Sequence, residues 1–258
     1  DDVLLTGEHE PKTYEFIREC IRAASAPFRS RRIHIGMDEA YWMGRGVYLN
    51  KYGYASKVEL MRTHLKLVKE ILDQEGLEAM MWSDMHFTAA RDEGVYHPDA
   101  ILTPEILAAA PEDIGLVYWD YYHEDNASYA NMLAKHGQFK AKTIFAGGIW
   151  TWCGPAADYR KTFAATIPAL EECIKADVKE VFATAWLDDG AECNLMTILF
   201  GLTIFGEFNY TGSWDEEEGE KRFRTSSGLD AQAFLSMSAL NELPGMTLQP
   251  NSTANPCR

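Results

Sequence analysis

Residues 56–84 read SKVELMRTHLKLVKEILDQEGLEAMMWSD. Ser56 and Glu59 form a capping box at the start of a helix. Leu60, Leu65, Leu67, Val68, Ile71 and Leu72 then recur at helical spacing over a broad apolar face. Gly76 stands where a helix takes its left-handed stop. The apolar run Leu77–Met81 that follows predicts a strand, and it leads straight into Trp82-Ser83-Asp84. A helix passing at once into an apolar strand is half of a βα repeat, the grammar of a parallel sheet.

The same alternation extends in both directions. Upstream, Pro11 suits the first position of a helix to about Ala26, with Tyr14, Ile17 and Ile21 on one face, and Arg32–Met37 is a strand candidate. Downstream, Thr103 caps a short helix, Ile114–Trp119 is a strand, and a helix follows near Asn126–Lys135. Lys142–Ile149 and Val181–Trp186 predict two more strands, each with a helix after it at Arg160–Lys175 and Cys193–Phe208. Residues 215–220, Asp-Glu-Glu-Glu-Gly-Glu, predict an acidic loop, without the alternating oxygen pattern of a calcium site. Leu229–Leu243 predicts a last helix.

Five strands are too few for a closed TIM barrel, which has eight. The expectation is therefore an α/β fold of (β/α)8 TIM-barrel type carrying only about strands 4–8, with a C-terminal helical extension. An open five-stranded α/β sheet is the alternative. Residues 1–225 would form the partial barrel and 226–258 the start of the extension. Two open parallel edges would invite self-association unless something covers them.

Composition narrows the partners. The chain has 258 residues and a formal net charge of −15. That balance argues against nucleic acid and anionic membranes, which attract basic faces. The apolar run Leu195–Phe205 is far short of a spanning helix. Positions 1–30 lack a leader's apolar stretch, and the five cysteines show no CxxC spacing. Free thiols and a cytoplasmic location are expected on those grounds.

The chemistry is concentrated where the strands end. Asp38-Glu39 follows the first, Trp82-Ser83-Asp84 the second and Trp119-Asp120-Tyr121-Tyr122 the third. Trp150-Thr151-Trp152 follows the fourth and Trp186-Leu187-Asp188-Asp189 the fifth. Parallel sheets build their sites at those ends. Aromatic walls with a few carboxylates suit a carbohydrate, whose C–H faces stack on indole while its hydroxyls seek acceptors. No metal or nucleotide cofactor is expected, since HxH, HExxH, GxGxxG and P-loop patterns are all missing from the sequence. The nucleophile elbow GxSxG is missing as well. Asp38 and Glu39 can reach one ligand only where the strand gives way to loop, and Gly36 permits that departure. A protonated carboxyl beside an ionised one is what cleavage of a glycosidic bond requires.

His34-Ile35-Gly36-Met37-Asp38-Glu39 resembles the H-x-G-x-D-E signature of the family 20 glycoside hydrolases, the β-N-acetylhexosaminidases. The stretches around it and around Met80-Met81-Trp82-Ser83-Asp84-Met85 are similar to the compact, non-secreted bacterial branch. The resemblance spans most of residues 1–210 and implies a barrel whose first three strands precede this sequence. It implies substrate-assisted retention without an enzymic nucleophile, the exception noted for this family among glycosidases. Glu39 would be the acid/base and Asp38 would orient the substrate's 2-acetamido group. The family's W-Y-x-D is replaced here by Trp150-Thr151-Trp152-Cys153, so Tyr121 is the candidate for steadying the acetamido oxygen, with Tyr118 or Tyr122 as alternatives. His34, Trp82, Trp119, Trp150, Trp152 and Trp186 would contact the sugar, and Asp188 would accept from its 4- or 6-hydroxyl. The expected partner is a glycan or oligosaccharide ending in N-acetylhexosamine. Two rival readings are an inactive, sugar-binding partial barrel and a metal-dependent barrel hydrolase using His34, Asp38 and His86.

Overall fold

A computed structural model of the chain describes residues 4–91, 95–187 and 193–241. Five strands, β1 (Arg32–His34), β2 (Glu78–Trp82), β3 (Ile114–Trp119), β4 (Thr143–Gly148) and β5 (Val181–Thr184), form one sheet in the order β1-β2-β3-β4-β5. The pairs β1–β2, β2–β3 and β4–β5 are parallel. A doubly wound sheet reverses its strand order at a switch point. The unbroken order seen here is instead the connectivity of successive barrel strands, so the α/β expectation of a partial (β/α)8 type holds.

The helices among the described residues are α1 (Pro11–Ser25), α2 (Gly46–Tyr52), α3 (Lys57–Glu75), α4 (Asp84–Ala90), α5 (Pro104–Ala109), α6 (Asn126–His136), α7 (Tyr159–Lys175), α8 (Leu199–Thr211), α9 (Glu216–Ser227) and α10 (Ala231–Met237). Their ends follow local chemistry. The Ser56 side chain accepts from Glu59 N and Gly76 closes α3 at φ 64°. Thr103 caps α5 in the same way through Ile106 N. One expectation is overturned: residues 215–220 are not a loop. Asp215 accepts from Glu218 N, and Glu216, Glu217 and Glu218 occupy the first turn of α9. Carboxylates there face the positive end of the helix dipole, which turns an acidic run into a start signal. The stretch around 193–208 likewise begins later than expected, as a 3-10 turn over Leu195–Ile198 before α8. The helix expected over 229–243 is shorter, α10 being followed by a 3-10 turn at Ser238–Asn241. The short helices α2 and α4 have no counterpart in the sequence reading.

The chain divides into two compact units, residues 1–118 with 134–144, and residues 119–133 with 145–258. In the first, α3 buries Leu60, Leu65, Val68, Ile71 and Leu72, and Ala79, Met81, Ile114, Leu116 and Val117 are buried on β2 and β3. Strands buried on both faces read as apolar runs rather than alternations, as these do. Along the edge strand β1 and just past its end, two backbone donors are occupied by side chains: Arg32 N donates to Ser30 Oγ, and Gly36 N to His34 Nδ1. Donors used in this way offer less of a template to another chain. In the second unit the core is Ile149, Tyr159, Phe200, Phe223 and Phe234, so α10 packs into it. No helix among the described residues is long and apolar enough to cross a membrane.

His86, on α4, is fully buried beside Phe139, and its Nε2 meets no partner among the described residues. Burial lowers its pKa from 6.5 to about 4. Between those values the unfolded chain takes up a proton that the folded imidazole refuses, so stability falls as pH drops from 6.5 towards 4. His86→Leu removes this dependence. Wild type should lose about 2 kcal/mol relative to the variant over that interval. Urea unfolding at pH 7 and pH 4.5 checks it, and parallel curves for the two proteins would refute the assignment.

Candidate active site

The pairing of β1 with β2 continues past the strand proper: Ile35 N donates to Met80 O and Trp82 N to Gly36 O. The chain then leaves the sheet. Gly36 has φ 75°, Met37 φ 74° and Glu39 φ 51°. Two non-glycine residues in left-handed backbone cost on the order of 1–2 kcal/mol each and persist only where their surroundings enforce them. The effect is to end the alternation of the strand, so Asp38 and Glu39 both stand exposed at its carboxy-terminal end.

Glu39 is held at two points. Its backbone N–H donates to Asp84 Oδ2 at 2.9 Å, and the Tyr41 hydroxyl donates to its Oε1 at 3.1 Å. Asp84 is fully buried at the start of α4. Beside it Ser83 contacts Tyr96 Oη at 2.8 Å, His136 Nε2 at 2.8 Å and Val117 O at 3.0 Å. A serine and a histidine so enclosed are a structural lock on the end of β2, since neither reaches solvent. Tyr41 lies near Asp38, Glu39 and Asp84. Burial first, and then these carboxylates, raise its pKa well above that of an ordinary phenol, so it remains a donor.

His34 lies 4.3 Å from the Trp82 indole, ring centre to ring centre. Its Nδ1 accepts from Gly36 N, which leaves the proton on Nε2, a buried atom without a partner among the described residues. Burial lowers its pKa to about 4, so the ring is neutral at physiological pH. His34 also lines a cavity of about 400 Å³ walled mostly by apolar residues of α1, β1 and α3, among them Ile17, Ile21 and Ile33.

The second unit carries an aromatic cluster of its own at the ends of β3 and β4. Tyr121, Trp150 and Trp152 are buried together, with Trp119 packed against them. Trp150 and Trp152 stack at 4.6 Å, Trp119 and Tyr121 at 5.5 Å, and the Trp150 Nε1–H donates to Tyr121 O. These rings rest largely on one another, whereas Trp186 is 37% exposed. Gly148 makes the cluster possible: a Cβ there would stand 2.7 Å from the Tyr121 ring and 2.8 Å from Trp152. The Tyr121 hydroxyl is buried and meets no hydrogen-bond partner among the described residues. Burial raises its pKa, and the Thr184 and Trp186 side chains beside the hydroxyl offset part of that. Asp120, also buried, accepts from Tyr122 N, His123 N and His123 Nδ1 at 2.6 Å, which raises the His123 pKa.

Among the sequence-predicted residues, His34, Asp38, Glu39 and Trp82 thus fall in the first unit, and Trp119, Tyr121, Trp150, Trp152 and Trp186 in the second. Asp188 lies outside the described residues. The metal triad considered above does not form: no group of three His, Cys, Asp or Glu with ligand geometry occurs among the described residues, and His86 is enclosed beside Phe139. Tyr41 was not singled out in the sequence, although an aromatic residue two positions past a strand-end carboxylate pair was a usable signal. The Asp84 contact spans 45 residues of sequence and had none.

No family model matches this chain. No curated protein matches it either. An X-ray structure of Flavobacterium johnsoniae chitobiase is similar with a TM-score of 0.48 and 17% sequence identity, covering 89% of this chain and 33% of that one. The chain thus spans about a third of the length of that structure.

Proposed function

We propose that this chain carries the acid/base machinery of a glycoside hydrolase that removes terminal, β-linked N-acetylhexosamine with retention of configuration. The observation that carries the reading is the exposed Asp38–Glu39 pair on a strained turn at the end of β1, inside a sequence that resembles the H-x-G-x-D-E signature. Strained backbone of this kind collects at functional sites, because stability alone would remove it.

The reaction needs no enzymic nucleophile. The 2-acetamido carbonyl oxygen attacks the anomeric carbon as the glycosidic C–O bond breaks, and Glu39 gives its proton to the leaving oxygen. Asp38 orients the acetamido N–H and stabilises the positive charge that develops on it. Glu39 then takes a proton from water, which attacks the anomeric carbon and reopens the ring. Tyr121 is assigned to the acetamido oxygen, in the place of the tyrosine that the resemblance implies. His34, Trp82, Trp119, Trp150, Trp152 and Trp186 are assigned to the sugar and its pocket, and Asp188 to a sugar hydroxyl. No metal or cofactor enters the scheme, and the proposed partner is an N-acetylhexosamine-terminated glycan met in the cytoplasm.

The test compares aryl 2-acetamido-2-deoxy-β-D-glucosides and galactosides with an aryl β-D-glucoside bearing a 2-hydroxyl. Hydrolysis of the acetamido sugars alone, unaffected by a chelator, is expected. Comparable turnover of the 2-hydroxy sugar, or loss of activity in chelator, would overturn the substrate-assisted scheme. Binding without turnover would favour the non-enzymatic reading.

A further inference from the structure

A general acid on an exposed glutamate faces an entropic problem. Three side-chain torsions and a left-handed backbone must all be set before its proton can meet the leaving oxygen. Both contacts to Glu39 act on that problem. Asp84 brings a buried carboxylate oxygen to the Glu39 N–H, a charge-assisted hydrogen bond of roughly twice the ordinary strength. Asp84 is itself set by the Ser83 lock and the first turn of α4. Tyr41 reaches the carboxylate from its own loop, only two residues further on, where Tyr41 N also donates to Glu39 O at 2.8 Å. That backbone contact closes the turn and brings the phenol back over Glu39.

We infer that Asp84 and Tyr41 are positioning residues for Glu39, Asp84 fixing its backbone and the Tyr41 hydroxyl aiming its carboxyl group. The inference rests on the acid/base role assigned to Glu39 above. Each residue acts through Glu39, and neither needs to touch the sugar.

The experiment uses the full chain, with Tyr41→Phe, Asp84→Asn and Asp84→Ala, and two aryl N-acetyl-β-D-glucosaminides of unequal leaving group. A dinitrophenolate leaves with little need of a proton, whereas an unactivated phenol needs one. Tyr41→Phe should lower kcat/KM about 10-fold on the unactivated phenol and less than about 3-fold on the dinitrophenyl substrate, since kcat/KM reports the step in which the leaving group departs, and on the unactivated phenol the loss should lie in kcat with KM little changed. Asp84→Ala should follow the same pattern more strongly. Asp84→Asn, which keeps an acceptor oxygen, should restore most of the loss. Equal losses on both leaving groups, or losses confined to KM, would overturn the inference.

A second measurement does not depend on turnover. In protein carrying 13C at tyrosine Cζ, the Tyr41 signal is identified by its disappearance in Tyr41→Phe. At neutral pH this signal should shift in Glu39→Gln, because the hydroxyl loses its carboxylate acceptor. An unmoved signal would overturn the Tyr41–Glu39 contact. A shifted signal in a chain that hydrolyses nothing would support the contact and sink the glycosidase reading.

Discussion

Glu39→Gln is expected to lower kcat on an unactivated aryl N-acetyl-β-D-glucosaminide by about 1,000-fold while leaving KM close to wild type. The amide has nearly the shape of the carboxyl group, so the substrate still binds, but it can neither give a proton to the leaving oxygen nor take one from water. General acid–base catalysis is typically worth about 10²–10⁴ in rate, and in the proposed scheme both halves of the reaction draw on this one residue. Purified variant and wild type, matched for folding by circular dichroism, settle it in a steady-state assay. Equal rates would remove Glu39 from the chemistry. Asp38→Asn supplies the contrast. If Asp38 orients the acetamido group, added azide should not rescue that variant through a glycosyl azide, and clear rescue would count against an orienting role.

Gly148→Val is expected to destabilise the protein by about 3 kcal/mol. A Cβ on Gly148 meets Tyr121 Cδ1 at 2.7 Å, Trp152 Cη2 at 2.8 Å and Tyr121 Cγ at 3.0 Å. Both rings are buried, and Trp152 is stacked on Trp150, so neither has room to retreat. The valine methyl groups deepen the clash. Gly115→Ala provides the control. Its Cβ would also meet an atom at 2.8 Å, but that atom is Ile144 Cδ1, the free end of an aliphatic chain that can rotate aside. The alanine variant should therefore lose less than about 1 kcal/mol. Chemical denaturation measures both, and near-ultraviolet circular dichroism reports the indole packing. A Gly148→Val protein with wild-type stability and spectrum would contradict the close approach of these rings.

The elements that were legible in the sequence are those specified by neighbouring residues. Ser56 with Glu59, Thr103, Gly76 and the apolar stripe of α3 are signals within a few positions of the backbone groups they satisfy. The acidic run at 215–220 was misread for a related reason. Its composition suggests solvated loop, and its position at a helix start becomes visible only when Asp215 is seen to cap Glu218. The chemistry of the strand ends was legible as residue types, with carboxylates after β1 and aromatics after β2 to β5.

By itself, then, the sequence determined the alternation of helices and strands, their parallel class and the identity of the carboxylate pair. Periodicity, caps and turn residues act over short distances along the chain and leave their mark in it. Only the tertiary structure decided the unbroken order of the strands, the left-handed backbone of Met37 and Glu39, the grip of Asp84 on Glu39 and the fit of Tyr121 and Trp152 over Gly148. Hydrogen bonds and ring contacts between residues tens of positions apart have no local signature, because their energy is realised only once the folded chain brings the partners together.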